Sequence, residues 1–92
     1  MILTQKQSDR RRTSKPSLME LRRTYNQDRK TLLTSEMVAD TAGVPLWLEY
    51  QVEIRVPVTR KDAEKILAAF SKLVDHTYTV EDVEVRLKAE TV

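Results

Sequence analysis

Residues 46–56 read LWLEYQVEIRV, and two periodicities compete in them. At helical spacing Val44, Leu48 and Val52 form one apolar stripe, and Trp47, Tyr50 and Ile54 form another. At strand spacing Leu48, Tyr50, Val52, Ile54 and Val56 alternate with Glu49, Gln51, Glu53 and Arg55, and their β-branched content suits an extended chain. A strand here needs a partner. The other alternating segment is 83–89, with a helix between, and an isolated parallel pair is marginal on its own. The chain holds a single glycine, so no hairpin turn is signalled. Helices need only short connections, which the spacing provides. The expected fold is therefore all-α, a small four- to five-helix bundle. The alternative is α+β with short strands at 47–56 and 83–89, which a dimer completing a sheet across its interface would favour.

Working back from this stretch, Gly43 ends a preceding helix in the left-handed conformation, and Pro45 suits the first turn of the next. That preceding helix is capped by Thr34 or Ser35, carries Glu36 in its first turn, and turns Val38, Ala39 and Ala42 inward. Further back, Ser17 caps a helix whose Leu18, Leu21 and Tyr25 share one face, with Glu20, Arg22 and Arg23 facing away and Asn26, Gln27 and Asp28 ending it. Working forward, Pro57 interrupts the pattern and Thr59 with Asp62 opens the clearest helix. Its face is Ala63, Ile66, Leu67, Phe70, Leu73 and Val74, and Asp75, His76 and Thr77 close it. Thr79 with Asp82 repeats the cap signal before a last short helix containing Val80 and Val83.

The chain has 92 residues, room for one small domain and a tail. The expected division is a basic, disordered arm at 1–16, a helical domain at 17–88 and a C-terminal tail at 89–92. The arm's QKQSDRRRTSKPS has no apolar periodicity to offset the entropy of ordering it. There is no cysteine and one histidine, which excludes a disulfide framework, a zinc–thiolate site and a histidine metal cluster within one chain. His76 reads as a polar helix terminus. No nucleophile–base pair is visible, so an enzyme is not expected, nor a cofactor or small-molecule ligand. No apolar run approaches the roughly 18 residues of a membrane span, so no membrane partner is expected, and the simplest address is the cytoplasm. Net charge is +2, but residues 1–34 hold nine Lys or Arg against three Asp or Glu, while residues 35–92 hold seven against eleven. A basic front end on an acidic body suits an arm that meets a polyanion or the body itself.

The order of elements in LTSEMVADTAGVPLWLEYQVEI, VTRKDAEKILAAFSKL and YTVEDV resembles the Cro/repressor-type (XRE-like) helix-turn-helix family over roughly residues 18–83. Ala39 stands where the family has a small residue between crossing helices, Gly43 at the turn, and Val44 and Val52 at apolar positions after it. Glu53 matches the glutamate that often ends the second helix. Three positions depart from the pattern: Glu49 where an apolar residue is usual, with Leu48 one earlier as a substitute; Pro45 in place of Ser or Thr; and Arg55 in place of glycine.

The resemblance implies a transcriptional regulator that reads duplex DNA, expected as a homodimer. On that template Pro45, Leu46, Trp47, Tyr50, Gln51 and Ile54 face the groove, with Thr34 and Ser35 at the preceding helix's start also among the DNA contacts. Gln51 is suited to adenine. The helix offers no cation, and Glu49 and Glu53 add negative charge. Phosphate contacts would come from Arg10, Arg11, Arg12 and Lys15 of the arm, from Arg22 and Arg23, and from Arg55, Arg60 and Lys61. The reading that competes is a helical protein–protein or dimerisation module without DNA binding, in which Trp47, Tyr50 and Ile54 form the interface. A solvated tail is the plain reading of the basic cluster.

Overall fold

The structure, a computed structural model, describes residues 15–89. The fold is all-α, with four helices: α1, Leu18–Arg29; α2, Ser35–Ala42; α3, Leu46–Glu53; and α4, Arg60–Val74. Residues 46–53 are helical, so the strand alternative over 47–56 is set aside.

Local chemistry starts and stops each helix. Ser17 and Glu20 close a full capping box on α1, each side chain bonded to the other's backbone N–H. Thr34 caps α2 by accepting from the Met37 N–H, and Thr59 caps α4 by accepting from the Asp62 N–H. Gly43 ends α2 at φ +72°, with its N–H bonded back to Ala39 and Asp40. Pro45 precedes α3 by one residue rather than opening it, so α2 and α3 are joined by Gly43, Val44 and Pro45 alone.

Helix α1 runs to Arg29, beyond the expected stop at 26–28. Asn26 does not end it because its side chain is engaged elsewhere, accepting from the Leu33 N–H (2.7 Å) and donating to the Leu33 carbonyl (3.0 Å). That clamp folds the linker back and buries Leu33.

Helix α4 supplies the largest share of the core. Ala63, Ile66, Leu67, Ala69, Phe70 and Val74 are all buried, joined by Leu18, Val38, Val52, Val58 and Val83 from the surrounding elements. Ala39 is buried where α2 approaches its neighbours. After α4 the chain turns at Asp75 (φ +56°), and the Ser71 hydroxyl bonds the Tyr78 N–H (2.8 Å), seating the Tyr78 ring 5.6 Å from Phe70.

The expected last helix at 80–83 is a single turn. Its cap is real: the Asp82 carboxylate accepts from the Thr79 N–H and hydroxyl, and these bonds hold its pKa below the usual value. The chain then extends instead of winding on, because residues 84–88 find backbone partners elsewhere. Val58 N–H donates to the Arg86 carbonyl and Lys88 N–H to the Val58 carbonyl, a one-residue parallel bridge between Val58 and Leu87. The extended alternative for 83–89 is thus half right: the segment is extended, but it pairs at one residue with the 56–59 linker rather than with 47–56. Among the described residues no helix is long and apolar enough to cross a membrane.

Candidate functional site

Helix α3 has two faces of opposite character. Outward it shows Leu46, Trp47, Tyr50 and Ile54, which are 44, 64, 47 and 43% exposed. Gln51 is half-buried beside them. Inward it buries Glu49, Val52 and Glu53. Neither α2 nor α3 carries Lys or Arg, and the exposed residues of α2 include Glu36, Met37 and Asp40.

The inward glutamates correct the expectation that they charge the reading surface. Glu49 is 0% and Glu53 1% exposed. They are one turn apart on the face turned toward α1, so they cannot approach a ligand on the outer face. Arg22 also differs from expectation: it does not face away from the domain. Its Nε donates to Glu53 Oε2 (2.8 Å), its Nη2 to Oε1 (3.2 Å), and its Nη1 to the Leu33 carbonyl (2.9 Å). It is therefore committed internally and is withdrawn from the phosphate-contact set. The Ser35 hydroxyl donates to Glu53 Oε2 (2.8 Å), a structural bond that takes the place of an outward one. One buried acceptor thus ties the starts of α1 and α2 to the end of α3.

The two carboxyls have opposite protonation preferences. Burial is the largest influence on Glu49, and the neighbouring Glu53 charge adds to it, so its pKa is pushed up to about 9 against weaker help from Arg22 and Ser35. No donor reaches either Glu49 oxygen, as a buried carboxylate would require. Burial also works against the Glu53 charge, but hydrogen bonds from Glu49, Arg22 and Ser35 outweigh it and hold its pKa below the ordinary value. At neutral pH the pair is one neutral acid beside one carboxylate. Sequence patterning could not find this cluster, because two glutamates one turn apart read as a solvated face.

The other expected site residues fall into three groups. Leu46, Trp47 and Tyr50 come together with Thr34, Ser35 and Arg22 around an open cleft of about 610 Å³ between the α2 start and α3. Thr34 is occupied as a cap there. Arg55 stands just past α3 at φ +63°, in the left-handed conformation that favours glycine. Its guanidinium is 3.5 Å from Glu84, with both side chains largely solvated, and Arg60 similarly neighbours Glu64 and Glu81. Such exposed pairs are weak enough to yield to a phosphate. Lys15 reaches the Val80 carbonyl at 3.5 Å, while Arg10, Arg11 and Arg12 lie outside the described residues. Among the described residues no cluster of side chains has the make-up of a metal site. No family model, curated protein or solved structure matches this chain.

Proposed function

We propose that the chain binds duplex DNA in a sequence-dependent way through the outward face of α3, as a small homodimeric helix-turn-helix regulator acting in the cytoplasm. The observation that carries this reading is the withdrawal of Glu49 and Glu53 into the interior. It leaves α3 an uncharged outer face, on which Gln51 can bond adenine and Trp47 or Leu46 can meet a thymine methyl. The short Gly43–Pro45 connection between α2 and α3 suits a helix presented to a major groove. Affinity then depends on cations outside the two helices: the arm's Arg10, Arg11 and Arg12, Arg55 just past α3, and Arg60 at the start of α4.

A second reading is favoured by the apolar character of the same face. Leu46, Trp47 and Tyr50 on α3, Ile54 just past it and Met37 on α2 are all more than two-fifths exposed, and Glu36 lines the same cleft as Leu46, Trp47 and Tyr50. A surface of this kind suits a protein partner. Fluorescence anisotropy with a pool of random duplexes, repeated across a salt series, separates the two. Binding to DNA weakens steeply with salt as counterions are released. The absence of any binding at low salt would rule out the DNA reading and leave the interface reading.

A further inference from the structure

Residues 84–88 form an extended segment with one edge in use. Glu84 N–H donates to the Pro16 carbonyl (2.8 Å), the Arg86 carbonyl accepts from Val58 N–H (2.9 Å), and Lys88 N–H donates to the Val58 carbonyl (2.8 Å). Successive residues of an extended chain aim their backbone groups at opposite edges. Residues 84, 86 and 88 therefore serve the inner edge, and the N–H and C=O groups of Val85 and Leu87 serve the outer one. Among the described residues nothing bonds these outer groups. A short strand with one vacant edge is a template for another strand.

We infer that this edge pairs antiparallel with the same segment of a second copy. The side chains choose the partner. Val85 and Leu87 pack on the core, while Arg86 and Lys88 are exposed and the Glu84 side chain is 45% exposed. The outer row thus reads negative, positive, positive. With the twofold axis beside Arg86, Val85 of each copy exchanges backbone bonds with Leu87 of the other, and Glu84 lies opposite Lys88 twice. A parallel in-register pair would stack Glu84 on Glu84 and Lys88 on Lys88. An antiparallel register centred on Leu87 would set Arg86 against Lys88. Opposite charges across a strand pair stabilise it and like charges destabilise it. A register centred on Val85 would also set Glu84 against Arg86, but it places Leu87 opposite Val83, whose N–H is already donated to the Thr79 carbonyl, and so leaves the Leu87 groups unpaired. The arrangement about Arg86 pairs the outer groups of both Val85 and Leu87 and is preferred, with the Arg86 pair on the axis as its one like-charge contact. This gives a surface to the homodimer proposed above, and it does not depend on α3 meeting DNA.

Sedimentation equilibrium of the full chain, from low micromolar to millimolar concentration, tests the pairing. Amide hydrogen exchange at Val85 and Leu87 by NMR accompanies it. The expected result is a reversible dimer, with exchange at these two amides slowing as concentration rises. Glu84→Lys should weaken the dimer roughly tenfold, because both symmetry-related contacts turn repulsive. Lys88→Glu should do the same, the two changes together should restore wild-type affinity, and Arg86→Thr should tighten the dimer. A monomer at every concentration overturns the proposal. So does a dimer in which the Val85 and Leu87 amides exchange at a concentration-independent rate, since that dimer uses another surface.

Discussion

Arg22 on α1 and Glu53 at the end of α3 form a two-pronged ion pair, at 2.8 and 3.2 Å, with the Glu53 side chain wholly buried and that of Arg22 17% exposed. Planar guanidinium against planar carboxylate fixes direction as well as distance. Through it, and through the Ser35 bond to the same carboxylate, the orientation of α3 is set by the beginnings of the two preceding helices.

Removing one partner should therefore cost far more than a surface charge. Arg22→Ala leaves Glu53 buried with its main donors gone, and about 3–5 kcal/mol of stability should be lost. Replacing Arg22 and Glu53 together by Met should recover much of it, because no uncompensated charge remains. Urea unfolding of the three proteins measures this. A loss below about 1 kcal/mol in Arg22→Ala would mean that solvent reaches Glu53.

Glu49 gives the stability a pH dependence of defined sign. Its pKa is raised from 4.5 to about 9 in the folded chain. The folded state thus holds a proton that the unfolded state releases above its ordinary carboxylate pKa. The stabilising contribution is fully present below about 4.5 and is lost as pH rises toward 9. Glu53 works the other way, its lowered pKa making its contribution fail as the pH falls through it. Glu49→Gln keeps the shape and donor of the protonated acid but cannot ionise. Its unfolding free energy should stay nearly level between pH 6 and 9, by urea titration at each pH, where the wild type declines. Parallel curves would show that Glu49 is ionised in the folded protein.

The helical frame was legible because its signals are local. Ser17, Thr34 and Thr59 cap as their sequence contexts predict, and Gly43 adopts the expected positive φ. What patterning missed depends on tertiary contact. Glu49 and Glu53 made residues 46–56 alternate like a strand, yet they are inward positions of a helix, tolerated there by a proton and by Arg22. Nothing in the periodicity of α1 distinguishes Arg22, which bonds inward, from Arg23, which is exposed. The Thr79–Asp82 cap was legible, and the extension after it only as an alternative, because its partners, Val58 and Pro16, lie far away in the chain.

Arg55 occupies a left-handed conformation at φ +63°, where a side chain costs about 1–2 kcal/mol. Arg55→Gly removes that strain at the expense of a more flexible unfolded chain and a weak exposed contact to Glu84. The net effect should be a gain of up to about 1 kcal/mol, read as a higher melting temperature. Arg55→Ala, which keeps the Cβ, should show no such gain.

Trp47→Ala removes exposed surface and should change stability by no more than about 0.5 kcal/mol, while weakening binding at the α3 face under either functional reading. Gln51→Ala discriminates between them. If Gln51 reads adenine, its loss should relax the preference at one base pair by about 1–3 kcal/mol and leave affinity for other duplexes little changed. A protein interface would show no such base-specific effect. Selection from a random duplex library with each variant measures it directly.

Removing residues 1–14 should separate affinity from specificity. The cut leaves Pro16 in place to accept from Glu84 and leaves the Ser17 cap intact, so the helical fold should be unchanged by circular dichroism. Because α2 and α3 contain no cation of their own, the arm's Arg10, Arg11 and Arg12 must supply much of the phosphate attraction if the chain binds DNA. Each one that meets a phosphate contributes roughly 0.9 to the slope of log affinity against log salt. The truncated chain should bind all duplexes more weakly, with a shallower salt slope and an unchanged order of preference among sequences. A changed order of preference would mean that the arm itself reads bases, most simply through the minor groove. Unchanged affinity and slope would leave α3 without a source of phosphate contacts adequate for a DNA reader, and would favour the protein interface.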